Sequence, residues 1–289
     1  MLAQQLANGL LLGSTYALIA LGLTLVLGVF DKLNIAHGDV FMFGAFAGVA
    51  AASFGAPLIL AVIAGLVTSA AINVLVERTC FYPLRNAHFL APMLSTIAFG
   101  ILLQNVATQI WGSDPSRYPN IEAVSQYEVG GILLSSIHVI ILVISFSVML
   151  SVDIVIYRTK LGRALRATAI DPEVAGLLGV NTKNVVLVTF LVAGALAGIA
   201  GVLTAVVYSQ ITPLIGIRLG LIGMVAMVIG GLGNLRGAMI GGILIGLVEV
   251  LNDAYLDASY RDLIVFSLFF GFIVLKPAGL FPQPSGNRS

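Results

Sequence analysis

Residues Tyr157–Val185 read YRTKLGRALRATAIDPEVAGLLGVNTKNV. This is the longest charge-bearing interruption in an otherwise apolar chain. Five of the fourteen basic residues fall within it (Arg158, Lys160, Arg163, Arg166 and Lys183), with the acidic Asp171 and Glu173. Apolar runs long enough to cross a bilayer flank it on both sides. Lys and Arg are retained on the cytoplasmic side of membrane proteins, so the loop is expected to face the cytoplasm and to orient every other span. It is patterned as well as charged. Leu161–Ile170 is rich in helix formers and places Arg163 and Arg166 three apart on one face. Asp171-Pro172-Glu173 then reads as a new helix start. Asp171 takes the N-cap, Pro172 the first helical position, and Glu173 the positive end of the dipole. Val174, Leu177 and Leu178 form an apolar stripe, and Gly179 can close the helix. Such a helix is suited to docking in a groove of a soluble partner. Lying on anionic headgroups would suit its basic residues equally well.

Composition agrees with a membrane protein. The 289 residues are 59% hydrophobic and 9% charged, against about 25% charged in an average soluble domain. The net charge of +1 gives no sign of nucleic-acid binding, and one cysteine, Cys80, excludes an internal disulfide. The expected fold is an all-α polytopic integral membrane helix bundle. It would have about eight to nine transmembrane helices, some short or broken, in a single domain over residues 1–289.

The first span is Leu6–Phe30, too long for a signal-peptide core of about 7–15 residues, and is read as retained. Asn34-Ile35-Ala36-His37-Gly38-Asp39 follows, then Val40–Phe54, shorter than the roughly 20 residues a full crossing needs. Asn34, His37 and Asp39 are ligand-type residues, but without a second cluster a capped helix start is favoured over a metal or proton-relay site. Further spans are Pro57–Val76, Phe89–Trp111, Ile137–Ile156 and Val186–Ser209. The last of these carries Gly194, Gly198 and Gly201 as a face for close helix approach. Leu219–Leu232 is short again, and Gly237–Leu251 and Leu263–Leu275 complete the set. Alternation gives nine crossings, with the N-terminus outside and the C-terminus inside. The basic residues then divide unevenly. Arg117, Arg218 and Arg261 fall outside, and the other eleven, Lys32, Arg78, Arg85, Arg236, Lys276 and Arg288 among them, fall inside. Few charges are expected deep in the membrane, since Asp39, Asp153 and Glu249 all fall near expected span ends. That scarcity argues against an ion-coupled carrier. Leu27–Gly48 and Ile229–Gly246 echo each other weakly as helix, Asn-containing turn and Gly-spaced helix, which nominates the two short runs as pathway linings. No Walker-type phosphate loop and no membrane-hydrolase motif occurs, so no catalytic and no metal site is expected.

GRALRATAIDPEVAGLLGVN, Gly162–Asn181, resembles the coupling loop of permeases in the branched-chain amino-acid uptake family of ABC transporters. YALIALGLTLVLG at Tyr16–Gly28, the N-x-A-H-G turn at Asn34–Gly38 and GGLGNLRGAMIGG at Gly230–Gly242 extend the resemblance over nearly the whole chain. Ile170 departs from it, standing where family members often carry a polar or charged residue. The resemblance implies a cytoplasmic coupling loop at about 158–184, with Gly162, Arg163, Arg166, Asp171, Glu173, Ala175, Gly179 and Asn181 as its residues. It also implies a non-enzymatic transport subunit of an importer in the bacterial inner membrane. The chain itself would bind no cofactor. ATP and Mg would sit on two partner ATP-binding subunits. A second homologous permease, or a copy of this chain, and a periplasmic substrate-binding protein would complete the assembly within membrane lipid. Candidate pathway-lining residues are Ser14, Thr15, Tyr16, Asn34, His37, Ser95, Thr96, Gln104 and Asn105, with helix–helix hydrogen bonding as the default role for each. Close relatives in the family handle urea, short amides, aromatic acids or other amino acids. A sugar permease and an ATP-independent channel or carrier are the rival classes.

Overall fold

The computed structural model describes residues 1–85, 87–119, 126–129 and 132–282. Arg288, assigned to the inside above, lies outside the described residues. Among the described residues there are eleven α-helices, with a few short strands between them. The first four are α1 Leu2–Phe30, α2 His37–Ser53, α3 Leu58–Val76 and α4 Leu90–Trp111. Next come α5 Ser136–Arg158, α6 Lys160–Ile170, α7 Pro172–Leu177 and α8 Thr182–Tyr208. The last are α9 Ile215–Gly230, α10 Leu235–Tyr255 and α11 Arg261–Leu275. Among the described residues seven helices are long and apolar enough to span a membrane: α1, α3 with its π-helical extension to Phe81, α4, α5, α8, α10, and α11 with the turn before it. The two short runs appear as α2 (17 residues) and α9 (16 residues). The structure is an all-helical membrane bundle with two short segments at its centre.

Helix α1 is the axis of that bundle and packs against α8, α9 and α10. Its apolar window is 89% buried, whereas that of α11 is 6% buried. An α1 of leucine and alanine reaches its neighbours closely because glycines meet backbone there. A Cβ at Gly13 would lie 2.7 Å from Ile243 Cα, and one at Gly9 would lie 2.9 Å from Leu247 Cα. On the other side, Gly194, Gly198 and Gly201 of α8 abut α3 and α2, where Gly201 would set a Cβ 2.5 Å from the Phe41 carbonyl. In lipid, where tails are as apolar as leucine, close packing of small residues of this kind supplies the association energy. The N-terminal ends of α2 and α9 meet through Gly38, Gly216 and Gly220. The echo between the two Asn-containing turns is therefore not a structural repeat. The first turn precedes the short helix α2, whereas the second follows the short helix α9 and opens the long α10.

The helix ends sort onto two faces. On one, Lys32 donates to the Arg85 carbonyl (3.4 Å), Arg236 pairs with Asp153, and the Asn234 amide reaches the Phe281 carbonyl (3.0 Å). The α6–α7 segment is on this face, with α6 packed on α1, α5 and α8. On the other face Gln4 bonds with Leu133, and β1 (Ser116–Arg117) pairs antiparallel with β4 (Gln210–Ile211). A hairpin of β2 (Gln126–Val129) and β3 (Ile132–Ser135) precedes α5 on that face. The first residues and the α6–α7 segment thus sit at opposite ends of the bundle, and Lys276–Phe281 returns to the α6–α7 end, where Leu280 donates to the Ile229 carbonyl.

Candidate functional site

The segment between α5 and α8 is built by local capping. Thr159 ends α5 and caps α6, its hydroxyl donating to the Val155 carbonyl (2.6 Å) while accepting from the Gly162 amide (3.2 Å). Gly162 faces the carbonyls of Ile156 and Val155 so closely that a Cβ there would collide with backbone. Arg166 donates to the Ile156 carbonyl and lays its guanidinium over the Tyr157 ring, 5.5 Å from the centroid. These contacts fold α6 against α5, with Leu165 and Thr168 buried and Arg163 exposed. Asp171 caps α7, its carboxylate accepting from the Glu173 (2.9 Å) and Val174 (3.0 Å) amides, with Pro172 at the first helical position. Gly179, at φ 85°, closes the helix, and Asn181 caps α8 by accepting from the Asn184 amide. Ala175 turns inward at 2% exposure, while Leu177 at 87% and Leu178 at 78% stand in the open beside Val174 and Ile170. The result is a short rigid helix that anchors one face and presents the other, apolar face to the outside. Beneath it, Asp153 and Arg236 form a two-pronged ion pair (2.7 and 3.0 Å), with Arg236 also over Tyr157.

The polar residues picked out within the spans separate into several environments. Ser14 and Thr15 are buried and donate one turn back, to the Leu11 and Leu12 carbonyls. Asn105 is exposed on α4 and bonded to the Ile101 carbonyl, and half-buried Ser95 offers its carbonyl to the Cys80 thiol. A second set gathers around the α1–α2 turn. There Asn34 donates to Asn73 (3.1 Å), which donates to the Phe190 carbonyl (2.6 Å). Thr96 receives the Ile35 amide, and Gln104 donates to Asp39 (2.9 Å). His37 is fully buried against Gly22, with neither ring nitrogen hydrogen-bonded. Tyr16 stands apart from both sets, toward the far face.

At that far face Tyr16 joins a cluster that the sequence did not reveal. Its hydroxyl donates to Glu249 Oε2 (2.8 Å) and meets the Tyr208 hydroxyl (2.8 Å). Arg218 Nη2 reaches Glu249 Oε1 at 3.1 Å, and Arg261 Nη1 reaches the same oxygen at 3.3 Å. Arg218 also holds Asp262, and Arg261 holds Asp253. Glu249 does not sit near a span end: α10 continues to Tyr255, and the residue is 1% exposed. Asp39, too, is buried, at 6%. Both are tolerated because each carboxylate has partners, two guanidinia and a phenol for Glu249 and an amide for Asp39, and an unpaired buried charge would be far more costly. A glutamate inside an apolar helix, in a chain with two arginines on the outer loops, was the available signal. Their separation in sequence hid the pairing. One carboxylate thereby ties α10 to α1, α9 and the start of α11, and α8 joins through the Tyr16–Tyr208 contact.

A family model described as branched-chain amino acid transport system / permease component matches residues 5–275. The chain is 37% identical to the high-affinity branched-chain amino acid transport system permease protein LivH of Escherichia coli, over 99% of this chain and 97% of that one. It is 35% identical to BraD of Pseudomonas aeruginosa, which carries the same description, with the same coverage. Among solved structures, an inward-facing putative metal-chelate type ABC transporter matches with a TM-score of 0.54 at 16% identity, covering 94% of this chain and 85% of that one. PsaBC from Streptococcus pneumoniae matches with a TM-score of 0.51 at 14% identity, over 94% and 91%. At such identities these two establish a shared fold of the membrane subunit and nothing finer. The family model over residues 5–275 and the near-full-length identity to BraD and LivH place this chain in the family of permease components of branched-chain amino acid ABC transport systems.

Proposed function

We propose that this chain forms half of the translocation pathway of an importer for branched-chain or closely related amino acids, driven by ATP-binding subunits that dock on the α6–α7 face. The observation carrying the proposal is the capped helix α7, whose Leu177 and Leu178 are exposed at one end of a bundle from a family of such permeases. An apolar helix face in a groove is a recurrent docking mode, and an exposed leucine pair on a rigid helix suits it. Arg163 and Glu173 flank that face, exposed, and give it charge for orientation. Ten of the basic residues cluster at the α6–α7 end, which supports that end as cytoplasmic, the N-terminus as periplasmic and the C-terminus as cytoplasmic. The locale is then the bacterial inner membrane. A second permease, homologous or identical, would cover part of the exposed apolar surface. A periplasmic binding protein would deliver substrate to the Tyr208–Arg218 face.

The residues around the α1–α2 turn, Asn34, Thr96 and Gln104, are the best candidates for pathway polarity, because they face protein interior rather than lipid. Ser14, Thr15 and Asn105 serve as helix-internal bonds in this reading. Closure of the ATP-binding subunits would push on α7, and through α6 on α5 and α1. The test is co-purification of the tagged chain from its native membrane, followed by uptake in proteoliposomes. Recovery of ATP-binding subunits and ATP-dependent leucine uptake are expected. A lone oligomer that transports without ATP would sink the proposal. A Glu173→Lys variant should retain insertion and lose coupling, so undiminished uptake by it would move the docking site elsewhere.

A further inference from the structure

Beside the Glu249 cluster lies a cavity of about 170 Å³, on the face opposite α6–α7, lined by Tyr208, Gln210, Thr212, Ile215, Arg218 and Leu219. It is smaller than the roughly 300–1,000 Å³ of a drug-sized pocket and so suits a small solute. Arg218 is the one charged residue in its wall. That guanidinium spends Nε on Asp262 and Nη2 on both Glu249 and Asp262. Among the described residues its Nη1 has no hydrogen-bond partner, which leaves that nitrogen's charged N–H groups to donate into the cavity. A carboxylate oxygen is a strong acceptor for such a donor.

The surrounding charge narrows the ligand further. Arg218 and Arg261 are opposed by Glu249, Asp253 and Asp262, and Arg117 stands beside the cavity as the strand partner of Gln210, so the surrounding charges balance. A free anion gains nothing on approach to such a site, whereas a carboxylate accompanied by its own ammonium does. The exposed Gln210 and the half-buried Thr212 supply acceptor oxygens at the same cavity, and Ile215 and Leu219 supply an aliphatic wall. We infer that this cavity is an entry subsite for the α-amino-acid head group of a small aliphatic zwitterion. Its carboxylate binds Nη1 of Arg218, its ammonium the oxygens of Gln210 and Thr212, and its side chain Ile215 and Leu219. The inference rests on the import of amino acids proposed above. It adds a place on this chain where the substrate's charged groups are read.

The test uses the whole transporter in lipid nanodiscs without nucleotide and without the binding protein, so that only the membrane subunits are scored. The probe is photo-leucine, a diazirine analogue of leucine that keeps both charged groups. Labelling is expected on peptides covering residues 208–219, with competition by L-leucine and none by leucinamide, which lacks the carboxylate, or isocaproate, which lacks the ammonium. Thr212→Val and Gln210→Leu leave the Glu249 cluster untouched. Each should reduce labelling about tenfold, the effect of losing one hydrogen bond to a charged group. Labelling confined to other segments, equal competition by leucinamide, or full labelling of both variants overturns the subsite. ATP-driven uptake by the same complex, reconstituted in proteoliposomes with its binding protein, separates the two levels. Leucine import with residues 208–219 unlabelled rejects the subsite alone, and import of no amino acid at all rejects the transport reading beneath it.

Discussion

The two ends of the bundle are built on opposite principles. At the α6–α7 end, short helices are set by local caps, at Thr159, Asp171 and Asn181, and they leave leucines exposed. At the other end, four helices converge on one buried carboxylate, and its partners come from positions spread over Tyr16 to Arg261. The first end leaves an apolar helix face in the open, while the second gathers its charges around one another. An end specified locally keeps its shape when a partner leaves. An end held by long-range ion pairs changes as a unit, because removing one partner strands the others.

The largest effect is expected where that contrast is sharpest. Glu249→Ala removes the shared anion and leaves Arg218 and Arg261 facing each other across a dry space. Loss of a buried pair's partner costs about 3–5 kcal/mol. The variant should unfold far more readily in a denaturing-detergent titration, and Arg218→Met with Glu249→Leu should recover most of the loss. An unchanged midpoint for Glu249→Ala would deny the cluster its tying role.

Gly162→Ala comes next. Its methyl meets the Ile156 backbone, which cannot swing aside, and overpacking of this kind costs about 1–3 kcal/mol. Because the strain is local to the α5–α6 junction, the variant should insert normally yet lose ATP-dependent uptake. Wild-type uptake would show that α6 need not seat on α5.

Asp171→Ala removes the α7 cap, worth about 1 kcal/mol. Hydrogen exchange should quicken over residues 172–178 with the spans unaffected, and exchange spreading into α8 would show that the segment is less self-contained than its caps suggest. Breaking the Arg236–Asp153 pair, whose arginine is 63% exposed, should leave stability nearly unchanged in a double-mutant cycle, the smallest effect in the series. Leu177→Asp should leave the isolated chain within about 0.5 kcal/mol of wild type, as exposed substitutions do, while abolishing capture of the ATP-binding subunits. Retained capture would place the docking face elsewhere.

Much of the α6–α7 end could be read before the structure, residue by residue: the Asp171 cap, Pro172 at the first turn and the closing Gly179 all depend on neighbours within four positions, whereas α8 starts at Thr182, ahead of the span expected from Val186. The glycine face of α8 was legible for a similar reason, since its spacing alone places Gly194, Gly198 and Gly201 on one side. Glu249 was misread as lying near a span end because the apolar count stops at Leu251. The helix runs on to Tyr255, with Asn252 turned inward and bonded to the Asp257 carbonyl. The candidate pathway residues divide for want of a third dimension. Asn34 and Gln104 find partners on other helices, Ser14 and Thr15 satisfy themselves on their own, and Asn105 faces out, differences that no polar residue announces in a linear string.

By itself the sequence determined the membrane bundle, its span pattern, the side on which the basic residues collect and the local architecture of the exposed α7, because hydropathy, charge bias and capping act through composition or short range. Only the tertiary structure decided that α1 is the axis, that the N-terminal ends of α2 and α9 meet, and that Tyr16, Tyr208, Arg218, Glu249 and Arg261 meet beside a small cavity. Those outcomes depend on which helices approach closely enough for backbone to touch backbone and for one carboxylate to serve several partners, and such proximity is a property of packing.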